Sequence, residues 1–154
     1  MKKEKFMSTF NQIYIHIVFS VKNREPHISK IWRDQLYKYI IAIIQKHKHK
    51  VLAIGGTDDH IHIFINYNLN QTIPSLMLEV KRDSSKWINE NRFVGCGFEW
   101  QEGYGVFSCG KSQMDDVIKY IHGQEEKHLN KSSFDEYKEI LVKYEIDFNE
   151  KYVK

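Results

Sequence analysis

Cysteines and long apolar runs are what this chain has least of, and each shortage excludes something. Its 154 residues include only Cys96 and Cys109, which form neither a disulfide framework nor a paired zinc motif. They read as ordinary reduced thiols. No apolar run approaches the roughly 20 residues that span a bilayer, and Met1-Lys2-Lys3-Glu4-Lys5 leads into no signal-peptide core. The expectation is a soluble, cytoplasmic protein with no membrane partner. Repeats, low-complexity segments and interdomain linkers are lacking as well. That leaves a single domain over residues 1–154, with a core at about 12–129 and a helical tail at about 130–154. What is present, 42% hydrophobic and 14% aromatic residues, suits a packed globular fold rather than disorder.

The net charge of +3 is unevenly spread. Residues 1–50 hold 11 Lys/Arg against 3 Asp/Glu, whereas residues 101–154 hold 8 against 11. The basic third ends in Lys46-His47-Lys48-His49-Lys50. Such a cluster favours a polyanion through counterion release, and a solvated helix end accounts for it equally well.

Strict alternation over residues 12–21 sets Ile13, Ile15, Ile17, Phe19 and Val21 on one face of a strand. Tyr14, His16, Val18 and Ser20 take the other. Leu36, Ile40, Ile43 and Ile44 give helical spacing from about Ser29 to Lys46. A second strand is expected at Val51 to Ile54, a turn at Gly55 to Asp59, and a third strand at His60 to Tyr67, paired as a hairpin. A helix follows with Thr72 as N-cap, Pro74 in its first turn and a stripe of Ile73, Leu76, Met77, Val80, Trp87 and Ile88. Residues 98–108 read as a fourth, irregular strand. After Gly110 a helix is expected from about Gln113 to His128, capped by Ser112 with Asp115. The order β-α-β-β-α-β is that of an α+β, ferredoxin-like antiparallel sheet with both crossover helices on one face. The other face is expected to stay open.

His60-Ile61-His62 is the central chemical feature. Strand residues two apart point the same way, about 6.5–7 Å between Cα atoms, so two imidazoles converge well enough to share an ion. Apolar Ile61, Ile63 and Ile65 face the helices, which puts the histidines on the open side. An isolated His-X-His pair is equally compatible with two half-exposed polar side chains. Asp58 and Asp59 lie close enough to orient an imidazole N–H. A second pair, Tyr120 and Gln124, stands four residues apart on one helical face. It reads as a packing stripe ending in a polar residue, with a tyrosine nucleophile as the less common alternative.

Taken together, several stretches resemble a known family. They are Tyr14-Ile15-His16-Ile17-Val18-Phe19-Ser20, Leu52-Ala53-Ile54-Gly55-Gly56, Asp59 to Ile65, Lys86-Trp87-Ile88, Trp100 to Ser108, and Tyr120 to His128. In order and spacing they are similar to the single-tyrosine, His-hydrophobic-His transposases of small insertion sequences, which act on single-stranded DNA. The likeness covers roughly residues 12 to 150. It departs at Gly123, where a larger residue is expected in a helix, and at Cys109.

The resemblance implies a catalytic tyrosine at Tyr120 and metal ligands at His60, His62 and Gln124. As divalent metal, magnesium or manganese would suit a phosphodiester substrate, although imidazole pairs also accept zinc or nickel. The resemblance implies DNA cleavage and rejoining through a 5′-phosphotyrosine, and hairpins at the element ends as partners. It also implies a homodimer joined through sheet edges, each active site completed in trans. DNA contacts are then expected from Lys22, Arg24, Lys81, Arg82 and Lys86, with sheet aromatics stacking on bases. His128 and Glu125 are candidates for assisting deprotonation of the tyrosine.

Other readings compete. A rolling-circle initiator or relaxase shares the histidine and tyrosine logic but carries further domains. A histidine-triad hydrolase needs a third alternating histidine where Phe64 stands, and a paired His-X-Ser/Thr phosphoesterase needs a second motif. A non-catalytic nucleic-acid-binding ferredoxin-like module, or a domesticated nuclease relative, remains the alternative.

Overall fold

The structure, a computed structural model, describes residues 9–124 and 133–143. Four strands, β1 (Tyr14–Ser20), β2 (Lys50–Gly56), β3 (His60–Asn66) and β4 (Gly105–Cys109), form one sheet in the order β2-β3-β1-β4. Every neighbouring pair is antiparallel. This is the split β-α-β arrangement expected from the sequence, with β3 inserted between β1 and β2. Helices α1 (Lys30–Gln45) and α2 (Ile73–Glu90) are the two crossovers; α3 (Met114–His122) and α4 (Ser133–Lys143) follow β4.

The main core is the alternation made physical. Ile15, Ile17 and Phe19 of β1, with Ile61, Ile63 and Ile65 of β3, meet Leu36, Ile40 and Ile44 of α1 and Leu76, Met77 and Val80 of α2. Burying each such side chain contributes about 1.5–3 kcal/mol relative to leaving it in water. Ser29 caps α1 by accepting from the Ile31 N–H, and Thr72 caps α2 by accepting from Ser75. Trp100 joins this core, its indole N–H donating to Ser84 Oγ at 2.9 Å.

Several expectations are corrected. Strand β2 runs on through Gly55 and Gly56, so the turn is shorter than the glycines alone imply. The fourth strand occupies only Gly105–Cys109. Before it, the chain crosses the end of the sheet irregularly, tied by Gln101 N–H to Ser20 O at 2.7 Å and Lys22 N–H to Glu99 O at 3.0 Å. Backbone carbonyls there are taken by side chains, chiefly Lys81, which donates to Gln101 and Gly103. Helix α3 is preceded by a tight turn in which Gln113 Oε1 accepts from the Gly110 N–H at 2.8 Å; the N-cap position of α3 is Gln113 rather than Ser112, and its side chain makes no capping bond to the helix. Gly123 closes α3 instead of lying inside it.

The second face of the sheet is not open. Tyr14, Phe64, Ala53 and Cys109 pack under Ile121 of α3, and Val18 and Phe107 pack with Ile140 and Leu141 of α4. These apolar residues alternate with the histidines on the same side of the strands, so a second helical layer is needed to cover them. The aromatics of that face are therefore core residues and are not exposed to stack on bases.

Candidate active site

His60 and His62 are 2% and 1% exposed, and their ring centroids lie 5.0 Å apart. The period of two along β3 puts both under α3, as the spacing required, but in the interior rather than on a surface. Each is held from behind. His60 Nδ1 lies 2.7 Å from Asp59 Oδ1 and 2.9 Å from Thr57 Oγ1, and Thr57 donates to the same carboxylate oxygen at 3.1 Å. His62 Nδ1 lies 2.8 Å from His16 Nε2 on the adjacent strand β1.

From above, α3 delivers Tyr120 and, just past its capping glycine, Gln124. Gln124 is 1% exposed; its Oε1 is 2.9 Å from His60 Nε2, and its amide nitrogen donates to Tyr120 O at 3.2 Å. The Tyr120 ring stands edge-on to His62, 5.4 Å between centroids at 86°, and 6.1 Å from His16. Tyr120 is half-buried, the most accessible member of the cluster. One chain thus brings together all four residues singled out in the sequence, and of the two expected carboxylates it is Asp59 that stands behind His60. His16 and Thr57 were missed. His16 sat visibly on the histidine face of β1, but only the register of β1 on β3 brings it to His62.

The expected DNA contacts divide. Lys22, Lys81 and Arg82 line one groove of about 600 Å³ between α2 and the 99–104 segment. Lys22 pairs with Glu99 at 3.3 Å and Arg82 with Asp83 at 2.9 Å, while Lys86 is exposed. Burial pushes the Lys81 ammonium below the usual lysine range, with Glu102 pulling the other way. Arg24 is different. Asn23 and Arg24 both take left-handed backbone conformations, and the Arg24 guanidinium donates to Ser20 Oγ at 3.1 Å. Ser20 is the register partner of His60, so Arg24 reaches the edge of the histidine cluster. Glu125 and His128 lie outside the described residues.

A family profile described as "Transposase IS200 like" matches residues 9–124, three quarters of the chain. The chain belongs to the IS200-like transposase family. Two solved structures share the fold of this IS200-like transposase. One is a transposase candidate from Deinococcus radiodurans R1, with TM-score 0.57 and 18% identity, covering 80% of this chain and 98% of that one. The other is a REP-associated tyrosine transposase bound to a REP hairpin, with TM-score 0.60 and 15% identity, covering 79% of this chain and 74% of that one. No curated protein sequence matches. Among the described residues of this transposase, no helix is long and apolar enough to cross a membrane.

Proposed function

We propose that this IS200-like transposase cuts and rejoins single-stranded DNA at insertion-sequence ends, with Tyr120 as nucleophile and His60, His62 and Gln124 as ligands of a divalent cation. The observation that carries the reading is the convergence of these four side chains in one cluster, above all the 2.9 Å approach of Gln124 Oε1 to His60 Nε2.

The donor set fits such a cation. Gln124 Oε1 and His60 Nε2 stand 2.9 Å apart, near enough that both would hold one cation. Imidazole nitrogens mixed with an amide oxygen leave room for phosphate oxygens and water, which suits magnesium or manganese. When bound, the ion supplies polarisation of the scissile phosphate.

The chain's own groups do the rest. Asp59 and Thr57 hold the His60 ring, and Gln124 ties the cluster to the tyrosine helix. Tyr120 Oη forms a bond to phosphorus while the bond from phosphorus to the 3′ oxygen breaks. The phenol gives up its proton and the departing 3′ oxygen gains one, leaving a 5′-phosphotyrosine and a free 3′ hydroxyl. Attack by a 3′ hydroxyl on that phosphotyrosine reverses the exchange, so rejoining uses no ATP.

Hairpins at the element ends are the proposed substrate, supported by the hairpin bound to the REP-associated relative. Arg24 at the cluster's edge, together with Lys22, Lys81, Arg82 and Lys86, is assigned to the DNA backbone. A homodimer that exchanges its tyrosine helices belongs to the same proposal.

The test uses labelled single-stranded oligonucleotides spanning the flanks of the gene, with and without Mn²⁺, on a denaturing protein gel. A 3′ label should stay on the protein and a 5′ label should leave, and Tyr120→Phe should abolish the adduct. DNA binding with no adduct on any flank in the presence of metal would instead identify a non-catalytic binding module.

A further inference from the structure

We infer that His16 is a positioning residue for His62, holding that ring by its Nδ1 so that Nε2 is its ligating atom. The inference rests on the reading of His62 as a cation ligand.

The two candidate ligands are backed unequally. His60 has a carboxylate and a hydroxyl behind its Nδ1, within 2.9 Å. His62 has a second imidazole, at 2.8 Å. Both partners of that contact are buried, at 3% and 1% exposure, so water does not compete for it. A hydrogen bond between two neutral imidazoles needs one proton between the facing nitrogens, and it sits on one or the other. With the proton on His62 Nδ1, the Nε2 of His62 carries a lone pair and can ligate. With the proton on His16 Nε2, His62 carries its own proton on Nε2 and cannot. Ligation by His62 therefore requires His16 to accept, which places His16's own proton on Nδ1.

The surroundings keep the His16 ring in place. It belongs to β1, the strand flanked by β3 and β4, and packs 5.1 Å from the His62 ring at 31°. Phe107 meets it edge-on at 6.3 Å, and Tyr120 at 6.1 Å. His16 thus touches both the proposed ligand and the proposed nucleophile, while the Asp59 carboxylate stands behind His60.

The experiment has two arms on the full chain without DNA. Long-range ¹H–¹⁵N spectra of the metal-free protein report the tautomer of each histidine. His62 protonated at Nδ1 is the expected result, and His62 protonated at Nε2 overturns the inference. Mn²⁺ titration then compares wild type with His16→Leu and His16→Gln, each checked for cooperative thermal unfolding. Loss of the partner should weaken Mn²⁺ binding about 10- to 100-fold in His16→Leu. His16→Gln, whose Oε1 can accept where Nε2 did, should recover most of that loss and stands in should the leucine variant fail to fold. Wild-type affinity in His16→Leu, or no recovery in His16→Gln, overturns the positioning role. A wild-type chain that takes up no Mn²⁺ overturns the cation reading instead, and the tautomer then decides His16's hold on His62 alone.

Discussion

Gly55 lies directly beneath the backbone carbonyl of Ile121, so close that a Cβ at position 55 would stand 2.5 Å from that oxygen and 3.2 Å from Ile121 Cγ2. Ile121 follows Tyr120 on α3. The missing side chain at the end of β2 is therefore what lets the tyrosine helix settle onto the sheet and carry Gln124 to His60. A backbone oxygen cannot swing aside as a side chain can, so the contact sets the height of α3 over the histidines.

Gly55→Ala should lift or tilt α3 while leaving the main core on the opposite face intact. Displacing a catalytic group by about 1 Å can cost on the order of 100-fold in rate. The expected outcome is a folded protein by circular dichroism whose adduct formation falls by roughly that factor. Unchanged cleavage would mean that α3 tolerates the shift.

Removing the carboxylate behind His60 should weaken the cation site without touching a ligand. Asp59→Asn is expected to lower Mn²⁺ affinity about 10- to 100-fold, read by titration in the absence of DNA. Chelation of metal from the wild type should abolish the adduct, and added Mn²⁺ should restore it.

Exchange of tyrosine helices between copies is decided by mixed dimers of Tyr120→Phe and His60→Ala. With exchange, one composite site keeps every wild-type group and forms adduct; without it, both sites are dead. The structure shows that one chain reaches its own histidines, so recovery of activity in the mixture would require α3 to leave the Gly55 seat.

Acid should loosen the junction of α1 and α2. Glu79 on α2 pairs with Lys46 at 2.6 Å and His47 at 2.7 Å, just beyond α1. The Lys46 hydrogen bond, then that of His47, holds the Glu79 carboxyl below the usual glutamate range against the opposing effect of burial. A folded-state value below the unfolded one of about 4.3 adds stability that is present in full above that pH. It is lost as pH falls through the lowered folded value. Glu79→Gln should therefore destabilise the protein near neutral pH and converge with wild type in strong acid, as measured by thermal melts across pH.

The elements and their order were legible because their signals are local. Alternating isoleucines in β1 and β3, the stripe of α2 with its Thr72 cap, and the break at Gly110 each rest on neighbours within a turn or two. Where the expectation slipped, a distant partner had intervened. Residues 98–104 carry strand-like aromatics, yet Lys81 and Ser84 take the carbonyls and the indole N–H that a longer β4 would have left to the sheet or solvent. Gly55 resembles a turn residue, but its smallness serves the contact of β2 with α3, whereas Gly56 makes room for the His60 carbonyl where the hairpin closes. Ser112 looked like a cap, but residues 111–113 form a separate tight turn, tied by Gln113 Oε1 to the Gly110 N–H, and α3 starts only after it.

By itself, the sequence determined that His60 and His62 share one side of β3 and that Gln124 follows Tyr120 by about one helical turn, although Gly123 ends α3 between them. Strand and helix periodicities are properties of the backbone and need no knowledge of the rest of the chain. Only the tertiary structure decided that those two pairs face each other, that the histidine face is buried under α3 and α4, and that His16 stands behind His62. Register between strands and the stacking of layers are settled by burial summed over residues far apart in the chain.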